Sequence, residues 1–239
     1  MKNPIDLWVY LSASPLLWLT LTIAVWIAAD AISIRCGRHP VANPVLISIV
    51  TLVSILWLSG ADYTRYFEGA QFVHFVLGPA TVALAVPLAR HWDRVRSLLL
   101  PMGAALVGGS IVAVLSVVVM GQILGLPDEI LISFLPKSAT AGVAMAVSSS
   151  LGGNVSLTAV LVILTGIIGA IIVTPLMQYM KITDYAARGF AVGLTSHGIG
   201  TARAYTVSEV AGVFAGIAMA LNAIATSIVV PIVASTVLQ

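Results

Sequence analysis

Two short polar stretches carry the residue types with which this chain could bind an anion: Phe134-Leu135-Pro136-Lys137-Ser138-Ala139-Thr140 and Thr195-Ser196-His197-Gly198-Ile199-Gly200-Thr201-Ala202-Arg203. Each sets a cation beside residues that break a helix, with long apolar runs nearby. A helix restarting after Pro136 presents free N–H groups and the positive end of its dipole to an anion. Lys137 would add a charge, and Ser138 and Thr140 directed hydrogen bonds, a set that suits a carboxylate. The plainer alternative is a lysine that snorkels to the membrane interface beside a proline kink. In the second stretch Ser196, Gly198 and Gly200 let the backbone leave helical geometry, and Arg203 offers the planar fork that fits a carboxylate. Its alternative role is a salt bridge to Glu209 near a membrane surface. Histidine has an unperturbed pKa within reach of physiological pH, which makes His197 a candidate carrier of a coupled proton, although a lone histidine in such a place is more often a hydrogen-bonded structural residue.

Two further polar residues bear on these stretches. Glu209 is the last carboxylate before the C-terminus. It would neutralise Arg203, bind a cation, or simply open the last helix, where a negative charge suits the dipole, and the last role asks least. Asn222, midway along that helix, is a candidate interhelical hydrogen-bond partner and a weaker site candidate. His74 has no partner that the sequence names and is read as structural.

The elements that must position these residues are membrane helices. Of 239 residues, 59% are hydrophobic and 8% charged, with a mean hydropathy of +1.07, whereas soluble domains carry about 25% charged residues. Cutting at the charges leaves uncharged runs over 7–29, 40–61, 69–89, 97–127, 138–180 and 210–239. A crossing takes roughly 20 helical residues. The runs are continuous rather than alternating at period two, so the expectation is an all-α polytopic membrane protein of about seven to eight helical segments, some discontinuous or re-entrant, in a single domain over 1–239. Helices are expected over 15–34, 43–58, 98–124, 156–179 and 208–238, after an interfacial lead-in with Trp8 and Tyr10. A polar interface loop is expected over 60–69, followed by broken segments over 72–92 at Gly78-Pro79, 130–151 at Pro136, and 185–205 around His197.

Basic residues accumulate in short cytoplasmic loops. Arg35 with Arg38, and Arg90 with Arg94 and Arg96, fall in loops two crossings apart, which sets the N-terminus outside. Lys181 and Arg188 return to the cytoplasmic side only if the segment around Pro136 is a re-entrant hairpin. An internal repeat is suggested by Leu77-Gly78-Pro79-Ala80-Thr81 and Leu135-Pro136-Lys137-Ser138-Ala139-Thr140. Both run from a proline break through a threonine into small residues, and transporters often carry such paired interruptions at their substrate sites. In the last helix Gly212-x-x-x-Gly216 has the spacing of a close helix contact.

Several functions are disfavoured. The first apolar run is too long for a signal peptide and ends in Asp30 and Arg35 rather than a cleavage site. Cys36 is the lone cysteine, so neither an internal disulfide nor a thiolate metal cluster forms. No basic face suggests nucleic acid. Gly198-Ile199-Gly200 lacks the third glycine and the preceding strand of a dinucleotide loop. The motifs of intramembrane proteolysis are missing, and Ser196 and His197, being adjacent, do not face each other on a helix. The chain is therefore not expected to be an enzyme, nor to carry a cofactor or metal.

The stretches 77–88, Leu135-Pro136-Lys137-Ser138, and Ala187-Arg188-Gly189-Phe190 through Ser196-His197-Gly198-Ile199-Gly200-Thr201-Ala202-Arg203-Ala204 resemble the signature segments of the LrgB/CidB family, in order and spacing, over about residues 15 to 237. The resemblance implies a multi-pass protein of the bacterial inner (cytoplasmic) membrane, made with a smaller LrgA/CidA-type membrane partner and similar to the C-terminal half of the plastidial glycolate/glycerate translocator. It implies one of two functions. One is a carrier of small 2-oxo or 2-hydroxy monocarboxylates, of the pyruvate, glycolate or lactate class, working by alternating access. The other is a holin/antiholin-like regulator of murein hydrolase export and autolysis, whose homo-oligomer would permeabilise or gate the membrane. A pore that only leaks needs no fixed cations at broken helices, so the residues favour the carrier. On the family pattern Lys137, Ser138, Ser196, His197, Thr201 and Arg203 occupy the motif positions, with Pro79 and Thr81 in the third stretch. Where relatives carry a threonine pair and a proline, this chain has Ala139-Thr140-Ala141-Gly142, which would soften the break.

Overall fold

The computed structural model describes residues 14–83 and 85–237, in which every regular element is a helix. Trp8 and Tyr10 lie outside the described residues, as do the side chains of His74 and Thr81. Five helices among the described residues are long and apolar enough to cross a membrane. The polytopic all-α reading therefore holds. The chain divides into two compact units, one ending at Ala85 and the other beginning at Val86.

The first unit holds α1 (Pro15–Arg35), α2 (Pro44–Ser59) and α3 (Tyr63–Ala83). Proline opens α1 and α2 at the turn where its missing N–H costs nothing. Asn43 caps α2, its side chain accepting from the Val45 amide at 2.8 Å, and Gly60 ends it in the left-handed conformation (φ 63°). A Cβ on Gly69 of α3 would meet Trp18 Cβ and Leu19 N of α1 at 2.9 Å, so a glycine brings the two helices together. Two expectations fail here. Residues 63–69 belong to α3 rather than to a loop, because Tyr63, Tyr66 and Phe67 share a helix face at ring spacings of 5.9 and 6.0 Å. Nor does Pro79 break this segment: it lies inside α3, since a membrane helix tolerates one lost backbone bond. The suggested repeat between the stretches at Pro79 and Pro136 therefore lacks its first break.

The boundary falls at the first residue of α4 (Ala85–Arg90), and the second unit goes on with α5 (Trp92–Ser97), α6 (Leu99–Ile123), α7 (Asp128–Phe134), α8 (Ala141–Ser150), α9 (Val155–Tyr179), α10 (Tyr185–Val207) and α11 (Glu209–Val237). At about 1.5 Å per residue, the 7 residues of α7 and 10 of α8 reach roughly 10 and 15 Å, too short for a bilayer core of about 30 Å. They form a hairpin instead. Thr158 Oγ1 of α9 lies within hydrogen-bond distance of the Ser133 carbonyl (3.1 Å) on one arm and of Ser148 Oγ (2.7 Å) on the other. The Asn154 amide, past the second arm, donates to Ser133 Oγ at 2.8 Å. The chain thus leaves beside where it entered, the alternative that the distribution of basic residues favoured.

A second hairpin lies within α10, where Ser196 (φ −125°, ψ 16°) and His197 (φ 39°, ψ −133°) leave helical geometry. A Cβ on Gly200 would touch Val192 Cγ2 and O at 2.9 Å, although eight residues of straight helix would separate them by about 12 Å. Both ends of α10 therefore lie at one end of the unit. Arg94 and Asp184 are ion-paired there at 2.9 Å, and His91 Nε2 lies 3.9 Å from Glu209 Oε1.

The order is then span (α6), hairpin, span (α9), hairpin, span (α11). Because α9 runs back to the Arg94 end, the two hairpins enter from opposite ends, an inverted repeat of span and hairpin. Apolar layers fill the two halves: Met102, Phe190, Val213 and Phe214 toward Arg94, and Val117, Leu131, Val147 and Val230 at the other end. Between α10 and α11, Gly189 and Gly193 lie against the backbone of Ala211 and Ala215. This is the small-residue contact of membrane helices, while Gly212 accommodates the Tyr205 ring.

The hairpins fix a labelling pattern. In a Cys36→Ser background, Leu124→Cys and Ser150→Cys are expected to react with an impermeant thiol reagent from one face of the membrane, and Lys181→Cys and Val207→Cys from the other. Labelling of Leu124→Cys and Ser150→Cys from opposite faces would mean that the first hairpin crosses.

Candidate functional site

The first hairpin turns over Leu135-Pro136-Lys137-Ser138-Ala139-Thr140. Pro136 has no N–H, so the helical bonds of α7 give way to single turns, with the Lys137 amide donating to the Phe134 carbonyl (3.1 Å) and the Ala139 amide to the Pro136 carbonyl (3.0 Å). Thr140 is extended and caps α8 without its side chain, which leaves first-turn amides of α8 uncapped. Lys137 is half-buried. Among the described residues its ammonium has neither an ion pair nor a hydrogen bond, and the hydroxyls of Ser138 and Thr140 have no side-chain bond. In this unit Arg90, Arg94, Arg96, Lys181 and Arg188 cluster at or near the Arg94 end, and Arg203 lies in the last turns of α10 leading back to it. Lys137 alone of its lysines and arginines stands at mid-depth.

The second turn is built for packing. Ser196 and His197 are buried at 0% and 5% exposure. His197 Nε2 lies 2.9 Å from the Val162 carbonyl of α9, and its ring occupies the space beside Gly166, where a Cβ would come within 2.6 Å of Cε1. Gly169 makes room for Ser196 in the same way. Thr201 donates to the His197 carbonyl at 2.8 Å. Gly198 is exposed, and Gly200 packs on the opposite arm.

The two tips meet. Asn222 of α11, 2% exposed, donates its amide to the Ser138 carbonyl of the first tip (3.1 Å) and to the Leu194 carbonyl of the second (3.0 Å). Its Oδ1 accepts from Ser110 of α6 at 2.8 Å. On the other side Val162 packs against Ala139 and Ala144 of the first hairpin while its carbonyl faces His197 of the second. Sequence reasoning missed Ser110, Val162, Gly166 and Gly169. Only the spacing of the two glycines in an apolar helix hinted at a seat for another segment.

Of the residues singled out from sequence, Pro136, Lys137, Ser138 and Thr140 come together at one tip and Ser196, His197, Gly198, Gly200 and Thr201 at the other, with Asn222 between. Arg203 stands apart, some 9 Å along the second arm from His197, lining a small recess with Thr174, Tyr185 and Arg188 and donating to Thr206 Oγ1 at 3.2 Å. Glu209 opens α11 and faces His91. Pro79 belongs to the first unit. A larger cleft of about 580 Å³ between α6 and the first arm of α10 is lined mainly by apolar side chains, including Met102, Phe190, Leu194 and Phe214.

Because His197 is bonded and enclosed, His197→Ala is expected to lower thermal stability in detergent by roughly 1–3 kcal/mol. A proton-carrying His197 would instead leave the melting temperature unchanged and flatten the pH dependence of uptake.

The LrgB-like family model matches residues 22–236 of this chain. The chain is 33% identical over 217 residues to the uncharacterized protein YwbG of Bacillus subtilis (strain 168), covering 91% of this chain and 96% of that one. It is 30% identical over 223 residues to holin-like protein CidB of Staphylococcus epidermidis (93% and 96% covered). It is 28% identical over 217 residues to holin-like protein CidB of Staphylococcus aureus (91% and 94% covered). No solved structure matches.

Proposed function

Since this chain belongs to the LrgB-like family, we propose that it is a non-enzymatic carrier of small 2-oxo or 2-hydroxy monocarboxylates in the bacterial inner membrane, with its anion site at the tip of the first hairpin. The observation that carries this reading is the Lys137 ammonium, held at mid-depth without a carboxylate beside the uncapped start of α8. A charge kept there is costly unless a partner or water meets it, and a monoanion would supply that partner. Ser138 and Thr140 would orient the second oxygen or the 2-substituent. Two hairpins entering from opposite ends and meeting at Asn222 supply a barrier that alternates between faces, the arrangement that carriers with inverted repeats use. Arg203 and its recess serve as an outer anion-collecting position rather than as part of the same site.

A second reading rests on the name borne by the Staphylococcus relatives, holin-like protein. On that reading this chain regulates murein hydrolase export and autolysis through an oligomer that opens the membrane, and an LrgA/CidA-type partner is the other half of the system. The relatives' names favour this reading over a monocarboxylate carrier, whereas the unpaired cation favours the carrier.

Uptake of labelled pyruvate and glycolate into liposomes, with and without the LrgA/CidA-type partner and alongside a trapped dye, separates the two. The carrier predicts saturable uptake without dye release, reduced tenfold or more by Lys137→Ala. A hydrogen bond to a charged group is worth about 1.5–3 kcal/mol, which corresponds to roughly tenfold or more in affinity. Dye release that ignores Lys137→Ala would establish the holin-like reading instead.

A further inference from the structure

We propose that Asn222 is a positioning residue that latches the two hairpin tips together and so sets the barrier between the faces of the membrane, an inference that rests on the carrier reading for its consequence but not for its geometry. The amide nitrogen of Asn222 has two protons, and each goes to a different hairpin: one to the Ser138 carbonyl and one to the Leu194 carbonyl. Both carbonyls lie at or beside turns, where a helix end or break leaves acceptors without an intrahelical donor. Ser110, itself 2% exposed, donates to Oδ1 and thereby fixes which end of the amide faces the tips. Both amide protons are donated and Oδ1 accepts from Ser110, on a side chain that is 2% exposed. A hairpin cannot withdraw from this position without giving up a bond whose carbonyl then lacks a partner. The flanking apolar layers on α6, α7, α10 and α11 contain no comparable link between the hairpins among the described residues. The amide is therefore the side chain that bonds directly to both tips, while Val162 of α9 touches both from the other side. Because Ser138 directly follows Lys137, the same bond also sets the backbone that carries the ammonium.

Thiol labelling tests the latch independently of transport. In a Cys36→Ser background, Ala139→Cys reports on the first tip and Leu194→Cys on the second. These positions are 1% and 6% exposed and should react slowly with a maleimide while the latch is closed. Asn222→Asp keeps the shape of the side chain and its bond from Ser110 but, when ionised, loses both donors. It is expected to raise the labelling rate at both positions by fivefold or more, with elution as a single monodisperse peak. Ser110→Ala, which leaves the amide in place but unoriented, is expected to produce a smaller rise in the same direction, and it decides the matter if Asn222→Asp does not fold. Unchanged labelling at both tips in a folded variant would overturn the latch. The transport arm reads separately: with the carrier reading in place, Ser110→Ala, which adds no charge near Lys137, is expected to change the maximal uptake rate of pyruvate by threefold or more. Absence of saturable uptake by the parent chain would remove the carrier reading and leave the labelling result to stand by itself.

Discussion

Backbone that leaves the helix at membrane depth must find its hydrogen-bond partners in protein, because lipid offers none. The second unit does so twice, at Leu135–Thr140 and at Ser196-His197, and its architecture follows from how those two turns are satisfied. Asn222 and Ser110 serve them from α11 and α6, and Val162 with Gly166 and Gly169 serve them from α9. The three spans of this unit are positioned by what the two tips require of them. The glycines on α9 and α10 allow the approach, and the apolar layers toward either end fill the space around it.

The arrangement also accounts for the distribution of charge. With both hairpins returning to the end from which they came, Arg90, Arg94, Arg96, Lys181 and Arg188 share one end of the second unit, and the opposite end carries Asp128 and Glu129 but no lysine or arginine in its connecting loops. Lys137 is then the cation that the membrane rules do not explain. The histidine, which from its chemistry alone looked equally suited to function, is consumed in holding the second tip to α9. Two residues adjacent to a helix break thus differ: among the described residues Lys137 has no ion pair or hydrogen bond, and His197 is bonded to the Val162 carbonyl.

Much of this was legible before the fold was known. Continuous apolar runs marked by Pro15, Asn43, Lys181 and Glu209 define the spans to within a residue or two, because caps and charges mark membrane boundaries directly. The hairpin at Pro136 was accessible through the basic residues on either side of it. The second hairpin was not, because glycine and serine signal only that a helix is interrupted, and the direction in which it resumes depends on the positive φ of His197. Pro79 misled for the complementary reason: a proline removes one backbone bond but does not by itself turn the chain. The link from Ser110 to Asn222 spans 112 residues, and no local pattern connects a serine on one apolar helix to an asparagine on another. The residues singled out in each stretch gather at its tip except Arg203, whose separation from both tips emerged only from the fold-back of α10.

The central claim is that Lys137 holds a carboxylate at the junction of the hairpins. Its most direct test is the melting temperature of the purified chain titrated with pyruvate at constant ionic strength, compared with that of Lys137→Met. The account predicts a saturable rise for the parent chain and none for the variant. An equal rise in both, or no rise in the parent chain, would contradict it.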